Sequence, residues 1–572
     1  MQNSTMLRCR LAVAVFAVAF FAVPAPVRPQ AGQSSTMLQT MKAELTRSLA
    51  ALKKEAEPPY FISYEVTDQR AVTVSGSFGN ITGSNESRSR LLGVDLRVGD
   101  YALDNTHEIR GGSSIFDFSD RFSLTQIPID DDPAAIRSML WLQTDRKYKQ
   151  AIERLTKVRA NVQLKVEADD KSADFSKEPT ERFVSKVATL TADRRAWEEK
   201  IRKYTAPFAR DPKIYMAQAT FSARTETRWF VGSEGSEIQT SEPRYQLFIS
   251  AVTKADDGME LPRYESFFAF TPEGLPNDAK VLGIVEQMIR DLEALRKAPV
   301  VEPFAGPAIL SGRASGVFFH EVFGHRIEGH RQKAADEGQT FRKKVNEKVL
   351  PEDFSVYFDP TLKRMGATDL VGTFEYDDQG VKARRVVAVE NGVFKNFLMS
   401  RSPIEGFSNS NGHGRGQPGF APVARQSNLI VEVAHPVSTA ALKKMLISEV
   451  TRQNKPFGLW FEDIQGGFTL TGRTIPNAFN VLPVMVYRLY ADGREELVRG
   501  VDLIGTPLAA FSKLVAGDNH VKVFNGICGA ESGGVPVSAV SPSVLISQIE
   551  VQKKEKSQER LPILEAPIQE ER

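Results

Sequence analysis

The run Val317-Phe318-Phe319-His320-Glu321-Val322-Phe323-Gly324-His325-Arg326-Ile327-Glu328-Gly329-His330 sets two histidines and a glutamate within six residues. Neutral imidazole is the commonest zinc ligand, and a carboxylate beside a ligand is well placed to deprotonate a zinc-bound water. The familiar helical form of this arrangement spaces its histidines four apart. Here they are five apart. At ~100° per residue, i and i+5 lie about 140° apart around a regular helix, against about 40° for i and i+4. An uninterrupted helix would aim His320 and His325 at different sides. The spacing therefore predicts a bulge or break near 322–324. A wider i to i+5 turn would restore a common face, and Gly324 offers the backbone freedom for it. A single buried histidine is more often a hydrogen-bonded core residue than a ligand. The chain, however, holds seven histidines in 572 residues, and three fall within positions 320–330. That clustering favours a metal site.

Working outward, Pro303 and Pro307 mark a boundary before this run, and the Ala314-Ser315 region is the expected helix start. The preceding half alternates helical and strand patterns. Helices are expected at 34–57, 133–159, 179–204 and 277–296. Strands are expected at 60–64, 70–77, 88–103, 161–166, 213–227, 244–254 and 265–270. No chemistry is read in that half; His107 sits alone. After the run, strand patterns dominate: 385–389 and 393–398 about Glu390-Asn391-Gly392, then 427–433, 459–462, 467–472, 479–490, 496–501 and 544–551, with a helix at 506–516. The stretch 401–425 is rich in Gly, Ser and Asn. It reads either as a flexible surface loop or as a functional one in which His413 and Arg415 meet a substrate. The length exceeds what one core supports. The expected fold is α+β: an N-terminal α/β domain (32–298) followed by a mainly β C-terminal domain (299–552) carrying the distorted metal-binding helix, then a charged tail (553–572).

Residues 1–31 read as a secretory signal peptide: Arg8 and Arg10, an apolar run from Leu11 to Val23, then Pro24-Ala25-Pro26. The run is too short to span a bilayer comfortably, and no later stretch is long enough, so no stable membrane span is expected. The expected location is periplasmic or extracellular. A formal charge of +2 leaves no basic footprint for nucleic acid. The two cysteines are Cys9 and Cys528. Cys9 leaves with the signal, so Cys528 has no partner for an internal disulfide; it is a buried structural thiol, an intermolecular partner or a functional group.

The motifs, taken together, resemble the TldD/PmbA family of zinc metallopeptidases. His320-Glu321-x-x-x-His325 with Glu328 is followed in order by Asp377-Asp378-Gln379-Gly380, Glu390-Asn391-Gly392, Gly412-His413-Gly414-Arg415, Ser427-Asn428, Gly500 to Gly505, and Asn525-Gly526-Ile527-Cys528-Gly529 running to Val535-Pro536-Val537. The resemblance spans about 300–550. It implies one zinc per chain held by His320, His325 and Cys528, with Glu321 as general base. Glu328 would orient an imidazole, and His330 is a rival ligand ranked below Cys528. Two departures bear on substrate preference: His413 stands where the family usually has Asn, and Gly529-Ala530-Glu531-Ser532-Gly533 replaces a Gly-Lys-x-Gly-Gln pattern. The expected activity is hydrolysis of peptides or unfolded polypeptide by a homodimer. The alternatives are a zinc-stabilised binding or scaffold subunit without turnover, and a zinc hydrolase of a non-peptide amide.

Overall fold

The computed structural model describes residues 35–109, 125–163, 170–333, 337–472, 479–505 and 507–554. The expected signal segment and nearly all of the expected tail lie outside them.

The first half builds a seven-stranded sheet around four long strands, Pro59–Ser77, Asn80–Val98, Ile214–Gly232 and Glu237–Lys254. They are mutually antiparallel; only the short strand Arg182–Val184 runs parallel to its neighbour. The two strands expected at 60–64 and 70–77 are one. Their polar middle stays in the ladder because Asp68 lies opposite Arg90 and accepts from both Arg88 (2.7 Å) and Arg90 (3.0 Å). The helix Thr36–Leu52 starts where Ser35 accepts a bond from the Leu38 amide. The helix Asp278–Lys297 is capped likewise by Asn277. The helix expected over 179–204 is only Arg194–Thr205, capped by Asp193. Ahead of it, the Ser185 and Ala188 amides bond to the strand Glu237–Lys254 instead, which keeps the chain extended. The strand expected at 161–166 is helical as far as Gln163, the end of Pro133–Gln163.

The second half forms an eleven-stranded sheet. Five of its strands, Phe304–Leu310, Gly458–Thr469, Phe479–Leu489, Val501–Gly505 and Gly533–Lys553, pair around a closed ring, so this part is a β-barrel. The long final strand also carries Leu514–Ala530 as an antiparallel hairpin partner and Asn428–Val433 as a parallel neighbour. The helix expected at 506–516 is only Pro507–Phe511. Leu514 already pairs with Ile546, and that ladder overrides local helix propensity.

Against these strands packs the helix Gly312–Val322, buried at every residue except Arg313. It begins at Ser311, whose hydroxyl bonds the Glu462 carbonyl, and not at the expected Ala314-Ser315. Ser315 lies inside it and meets Ser541 hydroxyl to hydroxyl at 2.7 Å. The approach is close. A Cβ at Gly312 would lie 2.6 Å from the Ser541 carbonyl oxygen, and one at Gly316 would lie 3.1 Å from Ala539 Cβ. Phe318 and Phe319 fill the other side against Phe479 and Phe511.

Two glycine substitutions should act in opposite directions. Gly312→Ala forces the helix off the strand backbone and should cost about 1–3 kcal/mol. Gly283→Ala, exposed in the helix Asp278–Lys297 with open space where the methyl goes, should stabilise by about 0.5–1 kcal/mol. Urea denaturation of both variants checks this; equal effects would contradict the packing described.

Candidate metal centre

His320 and Glu321 occupy the last turn of the helix, and His325 lies beyond its end. No wide turn forms. The α-helix stops at Val322, and a tighter 3₁₀ turn, Gly324–Ile327, delivers His325. Arg326 donates to the Glu321 and Val322 carbonyls at 2.8 and 3.3 Å, satisfying groups the helix end leaves open. Gly324 is needed for space and not for conformational freedom: a Cβ there would lie 2.0 Å from Gln426 Oε1. The Gln426 amide in turn donates to the His320 carbonyl at 3.2 Å.

Cys528 comes from the hairpin strand Leu514–Ala530, opposite Val535. One ligand atom from each of His320, His325 and Cys528 lies within 4.8 Å of the others, and all three residues are buried. Cys528 Sγ is 3.3 Å from His325 Nε2. A tetrahedral zinc with bonds near 2.1 and 2.3 Å would separate such atoms by about 3.5 Å, so the donor set and its spacing fit zinc. His325 Nδ1 faces Glu328 Oε2 at 3.2 Å, which leaves Nε2 turned to the thiol. Burial alone would raise the Cys528 thiol, but the adjacent His325 imidazole holds it well below its ordinary value. The thiolate, the ligating form, is thereby favoured. Burial also opposes ionisation of Glu328, yet His325, Arg331 and Arg425 lower it to about 2.

Glu321 Oε2 stands 3.9 Å from His325 Nε2. Its stem passes Gly467, where a Cβ would come within 2.8 Å of Glu321 Cγ. The four residues open on a cleft of about 530 Å³, lined also by Gly466 to Thr469, Phe524 to Glu531 and, from the first sheet, Gln246, Phe248, Tyr264 and Ser266. The first half thus walls the cleft, although no chemistry was legible in it.

His330 is not gathered with the other three; its Nε2 pairs with Glu531. Arg331 also binds Glu531 (2.8 Å), together with Glu328 (2.9 Å) and Glu337 (2.7 Å). His413 is fully buried and does not line the cleft. Its Nδ1 faces Asn411 and its Nε2 lies 3.1 Å from Ser427 Oγ. Arg415 is also buried, bonded to the Gln426 carbonyl and stacked over Phe374. The 401–425 stretch is therefore an ordered scaffold, pinned by Asp377 to the Gly414 amide (2.9 Å) and by Asp378 to the Gly416 amide (2.7 Å). It delivers a residue that the sequence reading missed. Arg425 has no exposed surface and donates to both the Cys528 carbonyl (2.7 Å) and Cys528 Sγ (3.2 Å). An arginine at the end of a polar loop carries no local signal of such a place.

A model of the PmbA/TldA metallopeptidase C-terminal domain matches residues 305–553. Residues 305–553 thus carry the C-terminal domain of the TldD/PmbA family. A metalloprotease of Archaeoglobus fulgidus is 30% identical over 269 residues, 46% of this chain and 57% of its own length. A zinc metalloprotease TldD homolog of Saccharolobus solfataricus is 24% identical over 256 residues, 44% of this chain and 52% of its own length. The chain thus spans a little over half of each. Among solved structures, TldE from Thermococcus kodakarensis shares the fold at 13% identity, with a TM-score of 0.57 over 91% of this chain and 100% of that one.

Burial lowers His413 to about 3. A histidine held neutral in the fold but protonated when unfolded near 6.5 stabilises fully above pH ~6.5 and progressively less towards pH ~3, by about 1.4 kcal/mol per unit. His413→Asn should remove that slope. Urea midpoints of both proteins at pH 7 and pH 5 measure it; parallel losses would contradict a neutral buried imidazole.

Proposed function

We propose that this chain is an exported zinc peptidase that cuts extended polypeptide, with Glu321 as its general base. The observation that carries the reading is a carboxylate 3.9 Å from a ligand nitrogen of the buried His320, His325 and Cys528 group, at a cleft. A purely structural zinc site has no use for such a base. Zinc held by those three residues would supply Lewis acidity toward a water and the scissile carbonyl. Glu321 takes the proton of the attacking water and returns it to the leaving nitrogen. Glu328 keeps the His325 imidazole turned to the ligand position. Among the described residues, the strand Leu514–Ala530 pairs along 521–530 only with the final strand Gly533–Lys553, which leaves its other edge without a strand partner. An extended backbone can hydrogen-bond to such an edge, which favours a peptide over a small amide.

The Arg8/Arg10 and Leu11–Val23 pattern supports export, and no described helix is long and apolar enough to cross a membrane. A homodimer is proposed from the family resemblance. Fractionation of producing cells and light scattering of the purified protein test these two points; cytoplasmic retention or a monomer would refute one or the other.

Metal analysis and peptidase assays test the mechanism together. Glu321→Gln should keep one zinc and lose about 10²–10⁴-fold in kcat. Cys528→Ala should lose zinc. Gly467→Ala should keep zinc but displace Glu321, with a loss on the order of 10²-fold. Wild-type protein that holds zinc yet cleaves nothing from a mixed peptide pool would point to a scaffold; zinc retained in full by Cys528→Ala would remove the thiolate from the ligand set.

A further inference from the structure

Arg425 stands in the chain as one more basic residue of a polar loop, yet it is among the largest side chains with no exposed surface. Burying a guanidinium is costly unless its donors are met. They are met almost entirely by one partner and its surroundings. One terminal nitrogen, Nη2, donates to the Cys528 carbonyl at 2.7 Å and to Cys528 Sγ at 3.2 Å. The other, Nη1, donates to Ser532 Oγ at 2.7 Å and to the Gly533 carbonyl at 3.0 Å. Nε lies 3.5 Å from Glu328 Oε1, the oxygen not used by His325. The backbone is fixed as well, since the Arg425 amide donates to the His413 carbonyl at 2.9 Å. The side chain therefore touches the sulfur of one ligand and the carboxylate that orients another.

We infer that Arg425 is a positioning residue for the metal centre: it fixes the Cys528 sulfur and, by donating a hydrogen bond to it, withdraws electron density from the thiolate, so that a bound ion remains a stronger Lewis acid. The inference rests on the zinc-site reading above. A hydrogen bond from a cation to a ligand sulfur lowers the energy of the sulfur lone pair, and hydrogen bonding around a ligating cysteine is an established means of tuning a metal. Histidine ligands alone offer no such handle on the sulfur. The guanidinium also supplies what a lysine cannot: two nitrogens that reach Sγ and the turn at Ser532 and Gly533 at once. The hairpin turn and the ligand are thereby locked to each other, and Glu328 gains a cation on its otherwise unbonded oxygen.

The test uses the full-length protein loaded with Co²⁺ in place of zinc, because a cobalt–thiolate centre has a sulfur-to-metal charge-transfer band that reports the lone-pair energy directly. Arg425→Met should move that band to longer wavelength and weaken metal affinity about 10–100-fold. Arg425→Lys, which keeps the charge but not the fork, should fall between. Ser532→Ala removes one anchor of the guanidinium without touching a charge and should give a smaller shift in the same direction, which keeps the test decisive if Arg425→Met does not fold. Circular dichroism verifies folding of each variant. A band that stays at the wild-type wavelength in folded Arg425→Lys and Ser532→Ala proteins would overturn the inference. Wild-type protein that binds Co²⁺ without any thiolate band would instead overturn the ligand assignment of Cys528, a distinct failure.

Discussion

The contact between the helix Gly312–Val322 and the strand Gly533–Lys553 governs where His320, His325 and Cys528 stand. Gly312 lies over Ser541 and Gly316 over Ala539. Four residues of helix rise about 6 Å, and two residues of strand advance about 6.6 Å. The two elements therefore keep step, and one more helical interval carries His320 to the level of Val537. A further interval would reach Val535, whose cross-strand partner is Cys528. The cysteine is thus met at the point where the α-helix gives way to the 3₁₀ turn that swings His325 round. Any side chain on Gly312 or Gly316 would lift the helix off this scale, so small residues at its start determine the geometry at its end.

The second constraint is electrostatic. A buried carboxylate is tolerable only when paired and hydrogen-bonded. Glu328 has no exposure and sits among His325, Arg331 and Arg425. Because its ionised form is held by two guanidinium neighbours, Arg331 and Arg425, it can fix the orientation of His325 through Nδ1. Arg331 passes the charge outward to Glu531 and Glu337. His330, the alternative ligand on sequence grounds, is drawn into this outer network by Glu531.

Much of this was legible in the sequence, and the reasons differ by element. Helices with strong periodicity and side-chain caps, such as those after Ser35 and Asn277, were read within a few residues. The grouping of His320, His325 and Cys528 was legible because the two histidines share a short motif and Cys528 is the one cysteine outside the N-terminal segment. Local pattern failed where long-range pairing decides. Residues 512–516 look helical but are claimed by the ladder with Ile546. Residues 185–193 look helical, but the Ser185, Ala188 and Thr191 amides bond to the neighbouring strand. The Gly-, Ser- and Asn-rich stretch 401–425 read as either a flexible surface loop or a functional one; the bonds to Asp377 and Asp378 that hold it come from a turn 37 and 38 residues away, which no local reading weighs. Arg425 was invisible for the same reason.

The first half of the chain contributes no residue to the His320, His325 and Cys528 group, yet the placement of the Glu321 carboxylate depends on it. Tyr264 bonds the Ile464 carbonyl through its hydroxyl, and Arg313, at the start of the helix Gly312–Val322, reaches both that hydroxyl (3.1 Å) and Glu265 (3.3 Å). Arg263 closes the same seam on Asp463 at 2.9 Å. Ile464 lies three residues before Gly467, the position against which the Glu321 stem rests. The strand segment that sets the carboxylate is therefore held from outside the barrel by the first sheet, while the helix that bears the carboxylate is tied to the same tyrosine. Displacing the two sheets relative to each other would move both the wall of the cleft and Glu321 within it, which makes the N-terminal half part of the candidate centre in mechanical terms without contributing a residue to the His320, His325 and Cys528 group.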